Sequence, residues 1–263
     1  QGCLSFQLVR QMDAAEAAMN ALLPAVLLRG SRVHPDIRSL TLHLDDLYGA
    51  AVGPMVRRVG DWQTTGFYAS FTDDRFALSG DRIFEPLTAL LRELLLDPLT
   101  EGEGFRESYV DSEKKNLIST IESQKNNKAA WAMEQLMAHM CREDSYGIPR
   151  LGTAKTISAI TPETLTEHYR RVLTESPVEI FYVGSAEFEE VENLLMPLLQ
   201  KLPRSPLSLP AQTGFHSCPE QDWTETMDVS QGKLCMGFVT PITNRRSDFA
   251  AMQLLNVIYG RGM

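Results

Sequence analysis

The segment from residue 51 to residue 71 constrains the fold most, because its apolar residues change from helical spacing to a period of two. Val56 and Val59 flank two arginines, Gly60-Asp61 forms a turn signal, and the apolar and aromatic segment WQTTGFYA follows. This pattern predicts a β-hairpin and hence antiparallel pairing of strands. A second apolar run, PVEIFYVG at residues 177–184, predicts a buried strand.

Helical patterns surround these strands. The alanine- and leucine-rich run at residues 14–30 predicts a first helix, capped by Asp13 and ended by Gly30. Pro24 lies inside this run, and an interior proline lacks a backbone donor, so we expect the helix to be bent or to begin near Asn20. Further helices are predicted at residues 35–48, 83–96, 105–140, 161–174 and 187–199. The helix at 105–140 is predicted as one long helix, with a break near residues 126–127 as the alternative.

The last part of the chain has a different organisation. Four prolines between Lys201 and Asp222 predict an interdomain linker. Beyond them, residues 223–229 and 233–240 are predicted as strands, and residues 247–259 as a helix capped by Ser247. So few elements cannot bury both faces of a new sheet. We therefore expect a domain at 1–203, a linker at 204–222 and the beginning of a second domain at 223–263, in a fragment of a longer protein.

Composition excludes several classes of function. The 34 acidic residues exceed the 25 lysines and arginines, and the net charge of −9 repels phosphate backbones, so nucleic acid is not expected as a partner. No run of about 18 apolar residues is present, so we expect no membrane span. The four cysteines are too widely spaced for a paired zinc motif and too few for a disulfide scaffold, which favours a reducing, cytoplasmic compartment.

Several segments, taken in order, carry a resemblance to a known family. They are ALLPAVLLRGS (21–31), LDDLYGAAVG (44–53), EGFRESYVDSEKKNLISTIES (103–123), Tyr146-Gly147 with Leu151-Gly152, ITPETLTEHYRRVLTESPVEIFYVG (160–184), VSQGKLCMGF (229–238) and LLNVIYGRGM (254–263). Together they resemble the pitrilysin-like or insulinase-like (M16) metallopeptidases, in particular the bacterial branch of paired homologues associated with modification of elongation factor P. The resemblance implies an α+β fold, with helices packed on a mainly antiparallel sheet, and a second, similar domain.

The resemblance also implies that the catalytic site is missing. Enzymes of this family carry His-x-x-Glu-His on the first helix, and a later glutamate completes three protein ligands to zinc. Alignment on Gly30-Ser31 places the three motif positions at Ala21, Pro24 and Ala25, and the later ligand at Thr120, whereas another family acid is retained as Glu113. We therefore expect no catalytic residue and no metal ligand at these positions.

The histidines support the same conclusion without the alignment. No two of them stand four apart on a predicted helix; they are His34, His43, His139, His168 and His216. A two-residue spacing on a helix directs His139 and Cys141 about 200° apart. A zinc site assembled from distant segments stays open as an alternative.

Two other sets of polar residues have ordinary structural interpretations. We predict that His168 lies on an exposed or half-buried helix face, with Tyr169 in the core. The acids around Glu113 are expected to form a solvated face together with the lysines at 114 and 115.

We expect a catalytically silent M16 homologue that is partner or scaffold to a zinc-bearing M16 subunit, as a heterodimer or by self-association. It would hold an extended peptide against a sheet edge, and zinc would be bound only in the partner. The residues expected to serve this role are surface residues between Ala21 and Arg29, with Glu113 opposite them. Two alternatives are an active zinc peptidase with an unconventional site, and a peptide- or factor-binding module in the elongation factor P modification pathway.

Overall fold

The computed structural model describes residues 1–209 and 218–261. Six strands occur in this part of the chain: β1 (Gly2–Gln11), β2 (Ala51–Val59), β3 (Trp62–Phe71), β4 (Thr100–Glu101), β5 (Gly104–Phe105) and β6 (Val178–Val183). The described α-helices are α1 (Ala17–Leu27), α2 (Ile37–Asp46), α3 (Phe84–Leu96), α4 (Glu107–Gln124), α5 (Lys128–Met140), α6 (Ala154–Ser158), α7 (Pro162–Glu175), α8 (Phe188–Leu199) and α9 (Phe249–Asn256).

Four of the strands form one antiparallel sheet in the order β2-β3-β1-β6. The predicted hairpin is confirmed: β2 and β3 pair around Gly60, whose φ of +61° is one that glycine adopts without strain. The buried position predicted for residues 177–184 is wrong, because β6 lies at an edge of the sheet in the part of the chain that the structure describes. Its burial alternates along the strand, and Phe181 and Val183 remain more than half exposed.

Strand β1 was not predicted, although it lies in the interior of the sheet. Leu4, Phe6 and Leu8 point into the core, but the intervening Ser5 and Gln7 are also buried. The segment LSFQL at residues 4–8 nevertheless alternates apolar and polar residues, as expected for a strand. The alternation was therefore a local signal for β1, although the residues on both faces of the strand are buried.

Helices cover one face of the sheet and supply much of the core. Helix α3 is amphipathic, with buried leucines at three- and four-residue spacing, and all members of the main buried cluster fall between Leu4 and Leu202. The predicted long helix divides at residues 125–127, where the Asn127 side chain caps α5 by accepting from the amide of Ala130 at 3.1 Å. None of the helices in residues 1–209 and 218–261 is long and apolar enough to cross a bilayer.

The two strands predicted at 223–229 and 233–240 are absent; both stretches lack regular structure. Instead, this part of the chain contacts α5. The ring of Trp223 lies 4.4 Å from the ring of His139, and Trp131 Nε1 donates to Glu225 at 2.8 Å. A strand forms only where another strand pairs with its backbone groups, and no described strand lies beside these residues.

The helix predicted at 247–259 is present in shorter form as α9, and a π-helical turn at Val257–Arg261 follows it. Ser247 is not its cap, because the residue before the helix is Asp248, without a side-chain capping bond. His216 and part of the predicted linker lie outside the described residues. The domain boundaries stay a prediction.

Candidate functional site

The four positions predicted to correspond to the family's zinc site lie on α1 and α4, which pack against each other. Ala21 and Pro24 are buried, Ala25 is half-buried, and Thr120 is exposed on α4. The Thr120 hydroxyl donates to the carbonyl of Asn116, one turn earlier, at 2.9 Å. Neither alanine nor proline side chains bind metal or transfer protons. These positions therefore cannot form the zinc site.

The expectation of a functional surface between Ala21 and Arg29 is wrong for most of this segment. Helix α1 lies beneath the sheet with nearly all of its residues buried, and only Met19 and Ala25 within it are half-buried. Leu28 and Arg29 follow, also half-buried. The apolar sequence of α1 already indicated this burial, because a helix that is apolar on all sides is a core helix.

Helix α1 continues through Pro24, and the structure shows how. Proline has no amide hydrogen, so the carbonyl of Asn20, one turn earlier, loses its helical partner. The hydroxyl of Thr65, on β3, donates to that carbonyl at 2.7 Å. The helix begins at Ala17, so the alternative of a start near Asn20 is wrong. A hydrogen bond from the sheet thus replaces the missing helical bond.

A buried polar network surrounds the same turn of α1. The Asn20 amide nitrogen donates to Gln63 Oε1 at 2.9 Å, and Gln63 Nε2 donates to the carbonyls of Ala17 at 3.1 Å and Arg150 at 2.7 Å. Asn20 Oδ1 lies 2.7 Å from His168 Nε2. Buried amide groups need hydrogen-bond partners. The hydrogen bonds of this network therefore join α1 to β3, to the loop that contains Arg150 and to α7.

His168 is buried in this network, so the prediction of an exposed or half-buried side chain is wrong; it is 2% exposed. Asn20 Oδ1 can only accept, so His168 Nε2 carries the hydrogen, and Nδ1 accepts from Arg171 Nη2 at 3.1 Å. Burial, together with the charges of Arg171 and Arg10, lowers its pKa from 6.5 to about 3. The imidazole is therefore neutral and structural.

Tyr169 is partly buried against the core, close to the position predicted for it. Its hydroxyl donates to the carbonyl of Leu95 at 2.6 Å, and burial raises its pKa. This hydrogen bond ties α7 to the end of α3, so Tyr169 has a structural partner and not a catalytic one.

The retained acid, Glu113, is paired with an arginine. Its Oε1 accepts from Arg29 Nη1 at 3.1 Å, and its Oε2 accepts from the Asn116 side chain at 3.1 Å. Arg29 also lies over the ring of Tyr109, 4.9 Å from its centroid. The prediction of a solvated face is therefore wrong for Glu113, whose carboxylate is mostly buried and joins α4 to the segment that follows α1.

A second polar cluster was missed by sequence reasoning. His34 Nδ1 lies 2.9 Å from Glu93 Oε1, the buried Ser31 hydroxyl donates to the same carboxylate, and the His34 and His43 rings are 4.7 Å apart. Burial and the neighbouring His34 lower the pKa of His43. No local spacing could have revealed a cluster built from segments 59 residues apart.

Within residues 1–209 and 218–261, no group of three or more His, Cys, Asp or Glu side chains is arranged to hold a metal ion. His139 is instead in contact with Trp223, and burial raises the pKa of the Cys141 thiol. The arrangement at α1 and α4 thus offers packing and ion pairing, and no hydrolytic chemistry.

Comparison with known proteins finds similarity to the same family. Residues 159–263 match the family described as the Peptidase M16 inactive domain. The chain is 27% identical over 257 residues to "Probable inactive metalloprotease YmfF" of Bacillus subtilis (strain 168), covering 98% of this chain and 60% of that protein. The chain therefore spans less than two thirds of the length of this relative.

Solved structures show the same fold. A conserved protein from Enterococcus faecalis V583 superimposes with a TM-score of 0.70 at 24% identity, over 78% of this chain and 47% of that one. A peptidase M16 inactive domain from Pseudomonas fluorescens gives 0.59 at 20% identity, over 80% and 48%. The periplasmic protease PqqL from Escherichia coli gives 0.58 at 16% identity, over 82% and 23%. The α+β fold with a mainly antiparallel sheet is confirmed.

Proposed function

We propose that this chain, an inactive M16 peptidase-like chain, is a non-catalytic partner or scaffold subunit for a zinc-bearing M16 peptidase. In this role it closes part of the peptide-binding chamber and holds an extended peptide, while the partner supplies the zinc and the hydrolysis. The proposal extends to a heterodimer or to self-association, in the cytoplasm.

The observation that carries the proposal is the chemistry of α1 and α4. The positions predicted for the three zinc ligands hold Ala21, Ala25 and Thr120, the position predicted for the general base holds Pro24, and the retained acid forms an ion pair with Arg29. A metallopeptidase needs three protein ligands, an open metal position and a general base. An M16 fold that lacks all of these can still bind a peptide or a partner surface.

The sheet supports a role in peptide binding. It is open at both ends, with β2 at one edge and β6 at the other among the described residues. An open strand presents unpaired amides and carbonyls, with which an extended peptide forms backbone hydrogen bonds. Such binding requires no catalytic side chain.

The end of the chain supports the proposal that residues 223–263 begin a second domain. Leu234, Met236 and Phe238 follow one another at every second position and are all more than half exposed. Leu254 and Ile258 are exposed on the final helical segment. Apolar residues at such spacing are typical of elements that pack against further structure.

Zinc analysis and peptide cleavage, with and without a co-purified M16 subunit, test the proposed function. We expect less than stoichiometric zinc in this chain alone, no cleavage of peptides by it, and recovery of both zinc and activity with the partner.

Stoichiometric zinc and proteolysis by the chain alone would instead support an active peptidase with an unconventional site. Recovery of elongation factor P or its modifying enzymes, and never of a peptidase subunit, would support a factor-binding module. Either result would contradict the proposal.

A further inference from the structure

A cleft with a volume of about 240 Å³ lies between the end of α3, the β4–β5 hairpin and α7. Hydrogen bonds to backbone carbonyls hold its walls together. The Arg32 amide donates to the carbonyl of Asp97 at 3.1 Å. Arg170 Nη2 donates to the carbonyl of Glu103, in the turn of the hairpin, at 3.1 Å. Clefts that bind drug-sized molecules have volumes of about 300–1,000 Å³, so this cleft suits a smaller molecule.

The floor of the cleft is apolar. The rings of Phe105 and Tyr169 meet edge-on there, with 5.4 Å between their centroids, and Phe105 is only 3% exposed. The two hydroxyls at this depth already have partners. Thr166 Oγ1 accepts from the Phe105 amide at 3.0 Å, and the Tyr169 hydroxyl donates to the carbonyl of Leu95 at 2.6 Å. The floor therefore favours an apolar group of a ligand.

Charged side chains of both signs line the rest of the cleft, and all of them are exposed; they are Arg32, Asp97, Glu103 and Arg170. In residues 1–209 and 218–261, no ion pair includes either of these arginines or either of these carboxylates. Burial raises the pKa of Tyr169, the negative charge of Asp97 raises it further, and the positive charge of Arg170 opposes this. Both charges thus act at the floor, and all four remain available to a ligand.

The presence of both signs restricts the chemistry of the ligand. A simple anion such as phosphate is attracted by the two arginines but repelled by the two carboxylates, and a simple cation meets the converse. A neutral apolar molecule gains only from the floor. A molecule that carries a carboxylate and an ammonium beside an apolar side chain matches all three features of the cleft.

We propose that this cleft binds a small apolar zwitterion, either a free α-amino acid or a dipeptide. The ligand carboxylate pairs with the two arginines, its ammonium pairs with the two carboxylates, and its side chain packs on the rings of the floor. The inference goes beyond the proposed function and does not depend on a peptidase partner.

Isothermal titration calorimetry of the full chain with L-leucine tests the proposal. Two matched ligands each lack one charge: N-acetyl-L-leucine has no ammonium, and L-leucinamide has no carboxylate. We expect each of them to bind about fivefold more weakly than L-leucine, because each loses one set of charged contacts at an exposed site. Tighter binding of leucyl-leucine than of L-leucine identifies the ligand as a dipeptide, and the reverse order identifies it as a free amino acid.

Two substitutions assign the binding to this cleft. Arg170→Gln weakens the binding of L-leucine and reduces its advantage over L-leucinamide, whereas Asp97→Asn reduces its advantage over N-acetyl-L-leucine. The control is Arg57→Gln, at an exposed position on β2 outside the cleft, and it changes neither preference. L-leucine also shifts the amide resonance of Gly102, which lines the cleft, in ¹H–¹⁵N correlation spectra of the labelled chain.

Three results would overturn the proposal. The first is equal binding of L-leucine and its two singly charged analogues, and the second is binding that neither Arg170→Gln nor Asp97→Asn alters. The third is the absence of binding at ligand concentrations up to about 10 mM, which leaves no affinity of significance. The proposed function stands or fails separately, because co-purification with a peptidase subunit decides it.

Discussion

The buried histidine predicts how the stability of this protein depends on pH. His168 is neutral in the fold, with Nε2 donating to Asn20 and Nδ1 accepting from Arg171. A proton on Nδ1 would face the guanidinium of Arg171 in a buried site. The folded state therefore resists protonation of this imidazole, whereas the unfolded chain accepts a proton at the ordinary pKa.

The size of the effect follows from the two pKa values. Burial and the neighbouring arginines lower the pKa of His168 from 6.5 to about 3. The unfolded chain then binds more protons between these values, so the free energy of unfolding decreases as the pH falls through this window. A difference of one in pKa corresponds to about 1.4 kcal/mol, and by pH 5 the loss reaches about 2 kcal/mol.

Urea unfolding followed by circular dichroism, at pH 7 and at pH 5, measures this loss. The matched variant is His168→Gln, which keeps a donor for Asn20 but does not titrate. We expect wild type to lose about 2 kcal/mol more than the variant between the two pH values. Equal losses in both proteins would show that His168 is protonated in the folded state, and would refute the assigned hydrogen bonds.

Two further changes test the contacts that hold the fold together. Thr65→Val leaves the Asn20 carbonyl without a partner and is expected to reduce the free energy of unfolding by about 1–3 kcal/mol. Adding Pro24→Ala to this variant restores a helical amide for the same carbonyl. We expect the double variant to recover much of the lost stability in the same urea assay. Ser185→Ala removes the hydroxyl that chiefly lowers the pKa of Asp73. We expect a loss of about 1 kcal/mol at pH 7 that shrinks as the pH falls below 4, since this stabilisation needs the ionised carboxylate; equal losses at pH 7 and pH 3 would contradict it.

Local patterns were sufficient for most helices and for the hairpin. Thr161 forms a capping box with Thr164 at the start of α7, and residues 51–71 pair as predicted, because both signals depend on neighbours in sequence. The interior place of β1 in the sheet and the exposure of β6 were not predictable in this way, although the alternation at residues 4–8 was a local signal for a strand. Their environment depends on which strands lie beside them, and those strands are distant in sequence.

The sequence by itself determined that alanine, proline and threonine stand at positions 21, 24, 25 and 120, where the resemblance predicts the zinc ligands and the general base. Only the tertiary structure decided what those helices do instead. The pairing of Glu113 with Arg29 joins residues 84 apart, and His168 meets Asn20 across 148 residues. The open edge of β6 is likewise a property of the assembled sheet, because a strand is an edge only by the absence of a neighbour.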